Sequence, residues 1–253
     1  MVGTARRAVR LAAARPAVAP RQSLNMGKVA CSLYNPHIVE KGNIMSSSVT
    51  LPEKLPVMPL PGAVLFPHAL LPLHIFEPRY RRMLEHALRE HRTFCVALIK
   101  PSCPDWHAPE DFFHFATAGL IRACVERSDG TSNLVLQGLQ RVRFTSFEQE
   151  EPFPVATIDA VDSRDPTTVE TEALGAKVVE LYRGLKHDGR QLPAKLDRYL
   201  SELRDLEMLA DLMGSTFVND PLRRQRLLEE RSLNQRLRFL IRYLREEIGN
   251  AAA

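Results

Sequence analysis

LPVMPLPGAVLFPHALLPLHIFEPRY, residues Leu55 to Tyr80, is the stretch whose reading decides the fold. It sets Pro56, Pro59, Pro61, Pro67, Pro72 and Pro78 among aliphatic residues and two phenylalanines, with a single acid and a single arginine. So apolar a run would suit a buried helix, but prolines at these intervals remove donors and clash with the preceding turn, which excludes a helical interior. Short extended segments joined by tight turns remain, buried because their side chains are too apolar for water. The expectation is that they form the edge and first strands of a β-rich core against which later segments pack.

Downstream, Glu77-Pro78 marks a helix start, with proline at the position where a missing N–H costs nothing. Tyr80, Met83, Leu84, Ala87 and Leu88 recur at three- and four-residue spacing, which predicts a helix from about Pro78 to His91 with one apolar face. Thr93 to Ile99 (TFCVALI) reads as a short buried strand. PSCPDWHAPEDFFH, residues 101–114, reads as a loop from its three prolines and polar mix, and it carries the chain's single tryptophan, Trp106, beside Phe112 and Phe113. Aromatic residues on a loop can form a recognition surface, so these three are the candidate peptide contacts. The competing reading has them folding back to cap the barrel.

Asp129-Gly130 between Ala118–Arg127 and Ser132–Gln137 is a hairpin signal. Gly138 is read as breaking the second run. Arg141 to Phe147 then alternates, with Val142 and Phe144 on one side and Arg141, Arg143 and Thr145 on the other. Pro154 to Val161 alternates again. Six or seven strands suffice for a closed or nearly closed sheet.

After Asp165-Pro166 the period changes to three or four. Val169 to Leu185 forms one helix, and Gly189 and Pro193 punctuate the link to the next. Leu196, Leu200, Leu203, Leu206, Leu209 and Met213 form one long stripe ending near Gly214. Asp220-Pro221 opens a short helix through about Glu230, and Ser232 to Ile248 is the last. Stripes at this spacing indicate a core shared between helices. The class is α+β: a leader over 1–50, a β-rich part over 51–163 and a helical part over 164–250.

The formal charge of +4 is uneven. Residues 1–44 hold seven basic residues against Glu40, a net +6, which leaves −2 on the other 209. Such a balance argues against nucleic-acid binding by a strongly basic fold. The Arg-rich, acid-poor leader has the composition of an organelle transit peptide. The alternative, preferred because nothing in the segment packs, is a disordered leader or an upstream region with the start at Met26 or Met45; the location is then cytoplasmic. Cys31, Cys95, Cys103 and Cys124 show no C-x-x-C pair and no zinc spacing. No apolar run reaches membrane-spanning length. His68 and His74, six apart, and His86 and His91, five apart, define no metal site, and no G-x-S-x-G elbow or H-E-x-x-H is present. Glu77 beside Arg79 and Arg82 reads as a carboxylate at a helix start with solvated arginines. No catalytic residue, cofactor or metal is expected.

The opening PLPGAVLFPHALLPLHIFEPRY, the hairpin and strand GLIRACVERSDGTSNLVLQGLQRVRF, and the late LADLMGSTFVNDPLRRQRLLEERSLNQRLRFLIRYLREEI together resemble the N-terminal, substrate-binding domain of Lon proteases, over roughly Leu55 to Ile248. The IFEPRY form looks most like stand-alone bacterial members without ATPase or peptidase domains. The resemblance implies a PUA-like β pseudo-barrel followed by a C-terminal helical bundle. It implies a non-catalytic module that engages unfolded polypeptides or a protein partner such as a protease or chaperone, in protein quality control. No G-x-x-x-x-G-K-[ST] phosphate loop occurs, the only Gly-Lys being Gly27-Lys28. The zinc module of cereblon, another relative, needs cysteine pairs that are absent here. RNA binding stands as the alternative, since PUA-like barrels elsewhere bind RNA and Arg141 and Arg143 are expected on one strand face.

Overall fold

Alternating and proline-punctuated segments between residues 54 and 160 become six strands: β1 (Lys54–Leu60), β2 (Leu70–Ile75), β3 (Thr93–Leu98), β4 (Phe115–Glu126), β5 (Ser132–Gln149) and β6 (Val155–Ala160). Helix α1 (Pro78–Arg89) lies between β2 and β3 in the chain. The later helices are α2 (Val169–His187), α3 (Ala194–Glu202), α4 (Leu206–Phe217), α5 (Pro221–Glu229) and α6 (Leu233–Ala251). This computed structural model describes residues 51–103, 106–163, 168–187 and 194–251. The leader over 1–50 and the Gly189–Pro193 link lie outside the described residues.

The strand order is β2-β5-β4-β3-β1-β6, and β6 pairs back onto β5. Five strands therefore close a ring, with β2 attached outside it along the first half of β5. Two expectations need correction. First, the edge expected within Leu55–Tyr80 is β2 alone, whereas β1 is interior, parallel to β3 and antiparallel to β6. Its prolines are tolerated because each missing N–H falls where a ladder has ended. Val57 N–H donates to Pro154 O at 2.8 Å on the β6 side, so Pro59 faces that side past the last β6 pair, at Pro56. Pro56 faces the β3 side before its ladder opens at Val57. Second, Gly138 does not break the strand. β5 runs through it for 18 residues, pairing β2 over 132–137 and β6 over 142–149. The Phe66–Pro67 backbone lies so close to Gly138 that a Cβ there would collide with the Phe66 carbonyl.

Leu55 and Val57, Cys95 and Ala97, Ala116 and Ala118, Val142 and Phe144, and Ala156 and Ile158 form one buried cluster drawn from all five ring strands. This is the barrel interior, and its four alanines suit so narrow a space. A second cluster lies outside the barrel wall, where Tyr80, Met83, Leu84 and Ala87 of α1 cover Met58, Phe94, Val96, Ile121 and Leu136. β3 is buried along its whole length because it faces both. The third cluster is the core of α2–α6, and it also takes in Val64, Phe66, Ala69 and Leu98.

The long leucine stripe expected as one helix is two, α3 and α4. Asp205 caps α4, its carboxylate accepting from Glu207 N–H and Met208 N–H at 3.0 Å each. The stripe keeps its period across the break because both helices face the same core, so periodicity alone does not register the interruption. Asp220 caps α5 in the same way, accepting from Arg223 N–H at 2.8 Å.

Arg141 corrects the expected strand face. Its side chain is 6% exposed and is clamped by Asp211 of α4, with Nη1 donating to Oδ2 at 2.8 Å and Nη2 to Oδ1, while Nε donates to Leu228 O of α5 at 3.1 Å. Arg143 is half exposed and pairs with Asp159. The two arginines therefore present no shared surface to a polyanion. Arg236 of α6 is also buried, with Nη1 lying 3.6 Å from Asp211 Oδ1. Its Nε donates to Glu230 O at 3.1 Å and its Nη2 to Ser163 Oγ at 3.0 Å. Burial, then the neighbouring Arg141, pulls the Arg236 guanidinium below its usual range. One carboxylate thus serves two buried cations. Asp211→Ala leaves both unpaired and is expected to cost about 3–5 kcal/mol, whereas Arg141→Met leaves a neutral Asp211–Arg236 pair and costs less. Urea unfolding of the two variants against the parent checks the ordering.

Candidate functional site

The five-stranded ring is closed, and the outer edge of β2, attached outside it, is where an extended chain could add. Gly138 N–H donates to Ala69 O at 2.9 Å and Gly138 O accepts from His68 N–H at 2.9 Å. His68 sits in the left-handed region, at φ 65°, so that residues 68 and 69 both face Gly138 as a bulge. From Ala69 the two-residue period turns Leu71, Leu73 and Ile75 toward β5, and Leu70, Pro72 and His74 away from it. Pro72 therefore costs the ladder nothing. The outward edge offers the Leu70 and His74 N–H groups and three carbonyls, and Pro72 removes the middle donor.

Two exposed apolar side chains share this end of the sheet, one next to the edge and one two strands in. Phe76, just past β2, is 60% exposed and stacks on the His74 ring at 5.9 Å between centroids. Val125 of β4 is 64% exposed and pairs with Asn133 of β5, which in turn pairs with His74. His74 Nδ1 meets the Asn133 side-chain amide at 2.8 Å. With the amide nitrogen turned to His74, the amide oxygen accepts from Arg127 Nη2 at 2.9 Å and Nε at 3.1 Å. The row His74–Asn133–Val125 is thus held in place across three strands. Sequence reading missed Phe76 and Val125. The IFEP tetrapeptide carried a signal for the first, a phenylalanine stranded between a strand end and a helix-starting proline.

The loop aromatics separate. Phe113 N–H donates to Leu98 O at 2.9 Å, which continues the edge of β3, and strand alternation then sends neighbouring rings to opposite sides. Phe112 enters the barrel interior and is fully buried, edge-on to Phe144 and Phe147 at 6.3 and 5.7 Å. It is a core residue with no surface to offer a peptide. Phe113 is half-buried against the helical core. Trp106, also half-buried, sits edge-on to Phe112 at 6.1 Å under the Arg79 guanidinium. Its Nε1–H donates at 3.0 Å to the Tyr80 hydroxyl, which itself donates to Pro59 O at 2.8 Å. Burial above all pushes the Tyr80 hydroxyl up to about 12.

Between barrel and helices lies a cleft of about 290 Å³ lined by Phe115, Arg143, Asp159, Ala160, Val161 and Arg231. Its charges are engaged: Arg143 pairs with Asp159 at 3.2 Å and Arg231 Nε donates to Asp162 O at 3.2 Å. Among the described residues no cluster of His, Cys, Asp and Glu could hold a metal ion. Cys95 is buried, and burial pushes its thiol far above the ordinary range, away from thiolate chemistry. No described helix is long and apolar enough to cross a membrane.

A family model described as the ATP-dependent protease La (LON) substrate-binding domain matches residues 54–246. The Lon protease of Dictyoglomus thermophilum is 26% identical over 204 residues, covering 81% of this chain and 26% of its own. The chain thus spans about a quarter of the length of that curated relative. Among solved structures, the N-terminal domain of the Mycobacterium avium complex Lon protease superposes with a TM-score of 0.61 at 18% identity, covering 76% of this chain and 98% of its own. The Lon N-terminal domain protein of Xanthomonas campestris gives 0.55 at 23%, covering 75% and 98%. At these identities the structural likeness establishes the fold: the α+β barrel-then-helices architecture read from the sequence.

Two outcomes follow for the Trp106 anchor. Phe112→Ala is expected to lower stability by about 3–5 kcal/mol, as for any large buried ring. Tyr80→Phe strips Trp106 Nε1–H of its acceptor and should cost about 1–3 kcal/mol and shift the emission of the sole tryptophan. In the parent, an unfolded tyrosine ionises near pH 10 while folded Tyr80 keeps its proton to about 12. Stability should therefore fall as pH rises from about 10 to about 12, and that increment should vanish in Tyr80→Phe. Urea unfolding at pH 9 and 11 measures the difference.

Proposed function

The chain belongs to the family of ATP-dependent protease La (LON) substrate-binding domains, and on that premise we propose that it is a non-catalytic module that binds unfolded or extended polypeptide segments. The observation that carries this reading is the open outer edge of β2, with exposed Phe76 beside it and exposed Val125 two strands in on the same cross-strand row. Main-chain pairing to Leu70 and His74 recognises any extended chain, whatever its sequence, and the two apolar side chains favour segments that a folded protein would have buried. Pro72 tempers the edge. By removing the central donor it disfavours long, stable pairing with a second sheet, the usual hazard of an exposed strand, and leaves room for short reversible pairing.

Trp106 and Phe113 are secondary contacts in this reading, being half-buried at the far end of β3. Holding and releasing segments without chemistry suits a module that passes clients to a partner protease or chaperone. The cleft lined by Arg143 and Asp159 is less suited, because those two already pair with each other and Arg231 is turned to the Asp162 carbonyl.

His74→Pro removes an outward donor and keeps the main-chain β2–β5 ladder, giving up only the exposed side-chain bond to Asn133, and Phe76→Ala removes the apolar flank. Both are expected to weaken binding of a reduced, alkylated, permanently unfolded polypeptide, read by fluorescence anisotropy, by about tenfold each, while thermal unfolding stays near that of the parent. Unchanged affinity in both variants would rule out the β2 edge as the binding surface.

A further inference from the structure

The outer seam between α5 and α6 is paved with guanidinium groups lying on aromatic rings. Arg226 of α5 stands 4.4 Å over the Phe239 ring of α6, and Arg242 stands 5.4 Å from the same ring. Arg242 also reaches the Tyr243 ring at 5.1 Å, as does Arg223 of α5. Tyr243 is buried and Phe239 half-buried, so the rings make a floor and the arginines the surface. Arg238 and Arg245, one turn to either side of Arg242, extend the same helical face.

Charge balance on this seam is one-sided. Arg223 pairs with Glu246 at 2.6 Å and Arg238 with Glu170. Among the described residues Arg226, Arg242 and Arg245 have no carboxylate partner, a surplus of three positive charges on a folded part whose sum is negative. A guanidinium stacked on a ring has already surrendered much of its rotamer freedom, so less is lost on binding. Arg242 Nη2 also donates to the Tyr243 hydroxyl at 3.4 Å, and the remaining in-plane N–H groups present the bidentate geometry that carboxylates accept.

We propose that this seam docks a short acidic segment of a partner polypeptide, through two or three carboxylates on Arg226, Arg242 and Arg245. The surface is built from elements other than β2 and does not depend on the edge-binding reading. Nucleic acid fits it less well. Phosphate-driven binding typically engages about 6–10 phosphates, and a folded part of negative sum repels a long polyanion beyond the patch.

The test uses a fluorescein-labelled oligoglutamate peptide, with oligolysine and a single-stranded oligothymidylate of matching charge as comparators, read by anisotropy on the full chain. Expected is saturable oligoglutamate binding that weakens as salt rises, with no oligolysine binding. The double variant Arg226→Gln/Arg242→Gln should bind about tenfold more weakly or worse, and Arg242→Lys should lose part of the affinity because it keeps the charge but not the stacked fork. Glu246→Gln, which frees Arg223, should bind more tightly, so a gain is predicted as well as a loss. His74→Pro should bind oligoglutamate as the parent does. The proposal is overturned by an absence of saturable oligoglutamate binding, by binding that the double variant leaves unchanged, or by oligothymidylate binding more tightly than oligoglutamate in a manner lost in the double variant.

Discussion

The approach of the Phe66–Pro67 backbone onto Gly138 is the contact on which the rest of the architecture depends. Any side chain at that position would collide with the Phe66 carbonyl. Because it is glycine, one strand passes through a crossing point and changes partner, pairing β2 before it and β6 after it. The second pairing closes the ring. The first leaves β2 outside it, so closure and the open edge are two consequences of one local accommodation. The same approach drives the Phe66 ring into the core of the later helices, where it is fully buried near Gly214 of α4. Barrel and helices therefore share side chains and do not merely abut.

A polar tie reinforces that junction. Arg141 leaves β5 just after the crossing and reaches Asp211, which also answers Arg236. Burying three charged groups is costly, and the hydrogen bonds that the two guanidiniums donate to Leu228 O, Glu230 O and Ser163 Oγ offset only part of that cost, since Arg236 Nη1 has no hydrogen-bond partner. Such an arrangement fixes one orientation of α4, α5 and α6 against the barrel more than it adds stability, because any slip would leave a buried cation unpaired. The surfaces that matter for binding inherit this rigidity: the β2 edge from the crossing, and the α5–α6 seam from helices whose inner faces are held by the tie.

The amino-acid sequence alone determined the elements and their class. Prolines and alternating apolar residues excluded a helix over Leu55–Ile75, Pro78 and Asp220-Pro221 placed helix starts, and Asp129-Gly130 placed a hairpin, because each signal acts within a few residues through backbone sterics or capping. It was also enough for the family, through runs such as PLPGAVLFPHALLPLHIFEPRY. What only the tertiary structure decided was which strand is an edge, that Gly138 is a crossing and not a break, that Arg141 is buried while Arg143 is not, and that Phe112 and Phe113 go to different cores. The break at Asp205 was locally legible, as an aspartate before an apolar run, but the unbroken leucine period concealed it. The others have a common physical reason. An alternating strand states which side chains share a face, and only long-range packing decides whether that face meets a helix, a barrel interior or water.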